Sequence, residues 1–305
     1  MSVEQDFLSN ERLHFQLARF NARRLAPGLP SAQWEEDLCQ DYAYRQVEGH
    51  YLEALRRGVQ PLAAEAAGST EHFIEWFEQL AVVGPGQGHP LFTWLAEEAD
   101  LAQMRWFLAQ EAAGEAGFED LLAYVQVKLP PQAKLECARN FWDEMGHGKQ
   151  GAMHGQMLDN MVRELELQPA IGTTVWESLA LANTMVGLAT TRRYAHHALG
   201  ALGVIELTAP GRVKKVAVGM RRLGMSGHAR AYFDLHAALD VSHARAWIRE
   251  VIRPTVEANP ECTQALAEGA LMRLLCGARC FERYFGDLTG STQNDHTSAN
   301  GFALC

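Results

Sequence analysis

Apolar residues recur along this chain at intervals of three and four, the period of a helix that buries one face. Alternating apolar and polar runs, the mark of half-buried strands, are nearly absent, as are hairpin dipeptides between them. Pattern and breakers predict helices over 4–26 and 31–57, parted by Pro27-Gly28-Leu29-Pro30. Ser69-Thr70-Glu71 opens a helix that ends near Val83, ahead of the loop Gly84-Pro85-Gly86-Gln87-Gly88. The next starts at about Pro90 and runs, with a kink, through WFLAQEAAGEAGFEDLLAYVQVKL. Pro130-Pro131 opens the helix AKLECARNFWDEM, proline being favoured in a first turn. That helix meets Gly146, Gly148 and Gly151, which predict a break. Further helices are predicted over 151–166, over 174–200 with Gly200 closing it, and over 212–223 after a stop at Pro210-Gly211. Another runs from Ser226 or Gly227 to Pro254, and the last covers 262–284.

No stretch resembles a flexible linker, and no repeat of about 20–50 residues appears. The prediction is an all-α chain: one helical-bundle domain over 1–287, with 1–85 as its N-terminal helices. Residues 288–305 are polar and rich in Gly, Ser, Thr and Asn, which predicts a flexible tail.

Composition narrows the function. With 305 residues, 48% of them hydrophobic, the chain can bury a large core. A net charge of -10 disfavours nucleic acid and anionic membrane as partners. No apolar run reaches the ~18 residues of a membrane span. The N-terminus MSVEQDFLSNERLHF lacks the apolar stretch of a signal peptide. Six cysteines form no CxxC pair, which reads as a reduced cytoplasmic protein with free thiols. Several of the 12 histidines stand beside carboxylates within apolar helical patterns, a donor set that suits iron better than thiolate sites do.

The sharpest motif is YFDLHAALDVSHARAW, with His236, Asp240 and His243. At about 100° per residue, Asp240 lies ~40° from His236 and His243 ~20° to the other side, so all three share one face. They span a rise of about 10 Å, enough to flank a pair of metal ions. The bland alternative is two core histidines and a solvated carboxylate. A second motif, NFWDEMGHGKQGAMH, holds Asp143, Glu144, His147 and His154. Glu144 with His147 is an ExxH pair on one face, as in di-iron bundles, and helix geometry mildly favours it. Glu144 with His154 would be about 15 Å apart on an ideal helix, unless the glycines shorten the path. Glu206, flanked by Val204, Ile205 and Leu207, would be costly to bury unpaired, and a cation would neutralise it. Glu111, Glu115 and Glu119 form an i, i+4, i+8 row that reads first as a solvated face. Glu115 is the first candidate among them to turn inward.

Together these segments resemble the haem-oxygenase-like di-iron oxidases and oxygenases, often called iron-containing redox enzymes, over about 107–254. The family's DExGxG segment and following histidine match Asp143-Glu144-Met145-Gly146-His147-Gly148 and His154. Its middle-helix glutamate matches Glu206, and its HxxxDxxH helix matches His236, Asp240 and His243. The resemblance implies a haem-oxygenase-like bundle with a pair of irons. One iron would take Glu144 and His154, the other His236 and Asp240, with His243 and Glu206 completing the shells. It favours His154 over His147, which stays in reserve. Some N-oxygenating members carry a seventh ligand. The positions where it is sought, Cys137 and Gly151, are not carboxylates here, so Glu115 is the substitute and Glu111 the next.

The implied activity is that of an O2-dependent oxidoreductase in biosynthesis. Its substrate would be a small amine, an amino-acid derivative or a fatty-acid-like molecule. The reaction would be N-oxygenation, or C–H abstraction with desaturation or C–C cleavage. An external electron donor and a homodimer fit the same picture. Arg192, Arg193, Arg221 and Arg222 are candidates to pair with a substrate carboxylate. Three rivals predict different features. A metal-free enzyme of this fold, acting on thiamine- or quinone-type compounds, needs a nucleophilic cysteine, and Cys137 is the one near the motif. A haem protein needs a single proximal histidine without clustered carboxylates. A non-catalytic helical binding protein leaves the matched donor residues to coincidence.

Overall fold

The computed structural model describes residues 7–115 and 117–290, the side chain of Val241 excepted. No strand occurs among these residues. Helix α1 (Glu11–Leu25) begins where the Asn10 side chain accepts the Leu13 N–H. Helix α2 spans Trp34–Ala63, and α3 (Thr70–Val83) is capped by Ser69, as its sequence predicts. The single kinked helix expected from Pro90 onward is three: α4 (Pro90–Glu97), α5 (Leu101–Gly114) and α6 (Phe118–Val125). Asp100 and Gln103 form a reciprocal capping box that restarts the chain at α5. Gly117, at φ 71°, makes the turn into α6.

Helix α7 (Pro131–Glu144) has proline at its first turn, and α8 (His154–Glu164) follows the glycine break. The expected helix over 174–200 is corrected. Helix α9 (Trp176–Thr190) stops at Thr191, whose backbone is extended. Tyr194 and Arg193 anchor this corner by donating hydrogen bonds to Glu53. Helix α10 then runs unbroken over Ala195–Arg222, through both Gly200 and Pro210. Gly200 is no cap: a Cβ there would stand 2.0 Å from the Leu266 carbonyl oxygen. Pro210 removes one backbone donor, the one that would serve the Glu206 carbonyl a turn earlier, but packing carries the helix past it.

Helix α11 (Ala231–Trp247) continues through a π-helical turn, Ile248–Ile252, into α12 (Arg253–Ala258). Helix α13 (Thr263–Thr289) ends at Gly290, at φ 68°. It therefore outruns the predicted end at 284, and the expected tail lies, from residue 291 on, outside the described residues. Helices α10 and α13 lie side by side in the same direction. They touch at Gly200 and Gly269, and 12 residues further along each, the Arg212 guanidinium lies 5.3 Å over the Phe281 ring. Helix α10 threads two apolar cores, its first half in one with Leu199 and Leu202, its last turns in the other with Val216 and Met220. Among the described residues, no helix is long and apolar enough to cross a membrane.

Candidate metal centre

Where the two cores meet, a cavity of about 150 Å³ opens between α5, α9, α10, α11 and α13. Its wall on α10 is one helical face carrying Ile205, Glu206, Ala209, Arg212, Val213 and Val216. Its wall on α11 carries Tyr232, Phe233, His236 and Asp240. Glu144 of α7 completes this end.

The glycine break sets which histidine, His147 or His154, stands beside Glu144. Gly146, His147 and Gly148 all take left-handed backbone, at φ 58°, 53° and 78°. A Cβ on Gly146 would stand 2.3 Å from the Ala152 carbonyl carbon, so only glycine lets the chain fold back this tightly. The doubled-back loop brings His154, ten residues on, to Glu144: Nδ1 lies 2.6 Å from Oε2. His147 instead points outward, its side chain 66% exposed and paired with Asp143 at 3.1 Å. Helix geometry favoured the wrong histidine as Glu144's neighbour because the helix does not continue.

The six residues matched in sequence come together as two trios, Glu144–His154–His236 and Glu206–Asp240–His243. Within each, one donor atom per residue lies within 4.8 Å of the others. The expected partition differs in one place. His236 stands with Glu144 and His154 rather than with Asp240, because one helical turn carries Asp240 and His243 on to the second trio. His154 and His236 meet edge to face, ring centroids 4.6 Å apart.

His236 and His243 each have one ring nitrogen held by a fixed partner, and all three imidazoles stand against carboxylate. His236 Nδ1 donates to the Tyr232 carbonyl at 2.7 Å, which leaves Nε2 with its lone pair. His243 Nε2 lies 3.0 Å from Asp143 Oδ2, and its Nδ1 is 3.5 Å from Glu206 Oε2. Both His154 Nδ1 and His243 Nδ1 are buried without a hydrogen-bond partner. Each trio therefore holds an orphaned ring nitrogen close to carboxylate oxygen but out of hydrogen-bond geometry, as lone pairs converging on a shared cation would be. Asn140, one turn before Glu144, donates to Glu206 Oε1 at 2.7 Å.

Electrostatics point the same way. Burial, then Glu206, pushes Glu144 up to about 9 and Asp240 up to about 8. Burial pushes His236 down to about 3, and it lowers His154 as well. Burial opposes the charged form of His243, but Glu206 and Asp143 push it up to about 9. Carboxylates this reluctant to ionise alone are neutralised best by a bound cation.

Glu111 and Glu115, read first as a solvated stripe, both line the cavity. Glu115 accepts the backbone N–H groups of Gly117 and Phe118, and burial raises it to about 7. Neither belongs to a trio. Cys137 is buried off the cavity, its thiol pushed up to about 12 by burial, so it is not the activated nucleophile of a metal-free rival. The arginines proposed for a substrate carboxylate are elsewhere. Arg193 and Arg221 are largely exposed, Arg192 lies on the surface, and Arg222 donates to the carbonyls of Leu95, Ala96 and Ala99. The arginines that do face the cavity are Arg212 and Arg273. Their sequence signal was slight: Arg273 is a lone cation in the apolar run ALMRLLC.

The positions of the two histidines give a direct test. His147→Ala leaves iron uptake unchanged, whereas Asp143→Asn, which frees the His243 ring, weakens it about 10- to 100-fold. Metal-competition titration of the two variants reads the difference. Equal loss in both would place His147 within the centre.

A sequence model of a family described as iron-containing redox enzyme matches residues 105–278. No curated protein matches the chain significantly. Among solved structures it is similar to a CADD-like protein of unknown function from Nostoc punctiforme, at TM-score 0.56 and 16% identity, covering 72% of this chain and 98% of that one. A second crystal structure of a CADD-like protein from that organism gives 0.54 and 17%, covering 73% and 97%. A domain of unknown function from Shewanella denitrificans, described as having a heme oxygenase-like fold, gives 0.51 and 13%, covering 75% and 97%. The fold is thus all-α and haem-oxygenase-like.

Proposed function

This chain belongs to the iron-containing redox enzymes, and from that premise we propose that it is a di-iron oxidoreductase that uses dioxygen to oxidise a small molecule in the buried cavity. The observation that carries the reading is the pair of orphaned imidazole nitrogens, one in each trio. Glu144, His154 and His236 would hold one iron, and Glu206, Asp240 and His243 the other. When bound, such a pair supplies the reduction of O2 and the oxidising equivalents.

The protein's own groups do the rest. The Tyr232 carbonyl fixes the His236 tautomer, Asp143 steadies His243, and Asn140 holds one Glu206 oxygen. These partners keep the donor atoms in place, so little reorganisation is needed when metal binds. Phe92, Leu158, Ile205, Met185 and Phe233 line the cavity, exclude water and orient an apolar substrate body beside His236 and Asp240. Glu115 stands at the same wall with its carboxylate tied to two backbone N–H groups, which suits orienting better than ligation. Electrons beyond those of the substrate would come from an external donor.

Anaerobic titration with Fe(II), followed by metal analysis and Mössbauer spectroscopy, tests the reading. About two irons per chain in closely similar sites are expected, with O2 consumed on mixing. A single iron per chain, or none, sinks the di-iron assignment.

A further inference from the structure

At the end of the cavity away from the trios stand Arg212, Arg273 and Glu111, from three different helices. All three line the cavity and are partly shielded from solvent, set deep among neighbouring residues. Arg212 donates to Thr208 Oγ1 at 3.1 Å and to Gln87 Oε1 at 3.5 Å, both neutral partners. It also lies over the Phe92 and Phe281 rings. Arg273 makes no hydrogen bond or ion pair among the described residues. Glu111 lies within electrostatic reach of both arginines yet forms an ion pair with neither. Buried arginines are normally paired, since an unpaired enclosed charge is costly. Two guanidinium groups against one carboxylate leave a single positive charge uncompensated, and the free donors face the cavity.

We propose that Arg212 and Arg273 form a carboxylate subsite that anchors an amphipathic monocarboxylic acid, its apolar body lying along Leu181, Val213 and Val216 toward the trios. The proposal rests on the cavity being the reaction chamber of the preceding reading, and it fixes which end of the substrate is held and which is presented. Charge selects the class. One carboxylate balances the surplus, an amine would add to it, and an alcohol would leave it standing. Planar guanidinium forks suit carboxylate oxygens, and burial strengthens each charged hydrogen bond. Burial followed by Arg273 pushes Arg212 down to about 9, the behaviour of a cation waiting for a counter-ion.

The test is calorimetric binding of hexanoate, octanoate and 3-phenylpropanoate, each against its alcohol and its amine. It is run on metal-free protein and on anaerobic Fe(II)-loaded protein. The acids are expected to bind at least ~10-fold tighter than their alcohols, with Arg212→Met and Arg273→Met each weakening them roughly 10- to 100-fold. Arg273→Lys, which keeps charge but loses the fork, falls between. The metal-free Arg273→Met protein should melt no lower than wild type, because no partner is lost. Acids that bind no better than alcohols, or arginine variants that bind them as wild type does, overturn the subsite. So does Arg273→Met melting well below wild type while Arg273→Lys binds the acids unchanged. Iron content measured on the same samples separates the two readings. Iron uptake without acid binding refutes only the subsite, and acid binding without iron uptake refutes only the metal centre.

Discussion

Asp240→Asn makes the metal-free protein melt higher than wild type and the iron-exposed protein melt lower. Asp240 is buried, accepts no hydrogen bond among the described residues, and faces the carboxylate of Glu206. Without a cation its charge is a liability, and the isosteric amide removes it, a gain of about 0.5–2 kcal/mol, typical of relieving a functional site. With ~2–4 °C per kcal/mol, the metal-free midpoint rises by roughly 1–8 °C. Iron reverses the order, because a ligand that binds only the folded state adds about 2.7 kcal/mol at a hundredfold excess over its Kd. Losing a donor forfeits that gain. Removing a mere outer partner weakens metal sites about 10- to 100-fold, so the loss here is on the order of 100-fold or more. His236→Ala gives the same iron result with a nearly unchanged metal-free midpoint, since its one hydrogen bond is to its own helix. Differential scanning calorimetry with and without Fe(II) reads all of this. An Asp240→Asn protein that melts lower without metal and takes up iron normally would make Asp240 a structural residue.

Gly200→Ala should be destabilising despite adding only a methyl. Alanine is the better helix former by about 1 kcal/mol, so on propensity alone the variant would gain. The new methyl would stand 2.0 Å from the Leu266 carbonyl oxygen, with the Leu266 carbonyl carbon at 2.8 Å. Both are backbone atoms of α13 and cannot swing aside. Overpacking of this kind costs about 1–3 kcal/mol or more, which outweighs the propensity gain. A urea midpoint at or above that of wild type would show that the helices separate freely. Retained iron uptake with a lowered midpoint is the expected pairing, since Gly200 stands about 9 Å along the helix from Glu206.

The sequence disclosed what is local. Ser69 and Pro131 cap or open their helices through neighbours a few residues away, so their signals are legible, whereas the cap at Asn10 falls inside the helix predicted over 4–26. The shared face of His236, Asp240 and His243 follows from helix pitch alone. The stop at Thr191, the run through Pro210 and the use of Gly200 as a contact all depend on packing against distant segments, which outweighs propensity. The same holds within the site. Nothing near His236 in sequence shows that it stands with Glu144 and His154 rather than with its own turn-mate Asp240. His154 came from matching a pattern, while helix geometry pointed to His147, because a left-handed Gly-His-Gly turn is invisible to helical periodicity. Arg212 and Arg273 went unnoticed because a cation in an apolar helix has no spacing rule to announce it.

The close approach of α10 and α13 also limits how this chain can drift over generations. Gly200 and Gly269 fix the two helices at one point, and Arg212, Arg273 and Phe281 are placed from that point by counting residues. A substitution between the pin and the cavity changes one side chain. An insertion or deletion of one residue there rotates everything beyond it by about 100°. It would turn Arg273 out of the chamber while leaving the glycine contact intact. Relatives that keep this chamber should therefore vary in letters between these positions but not in length, with their gaps confined to the corners at Thr191 and Asn259.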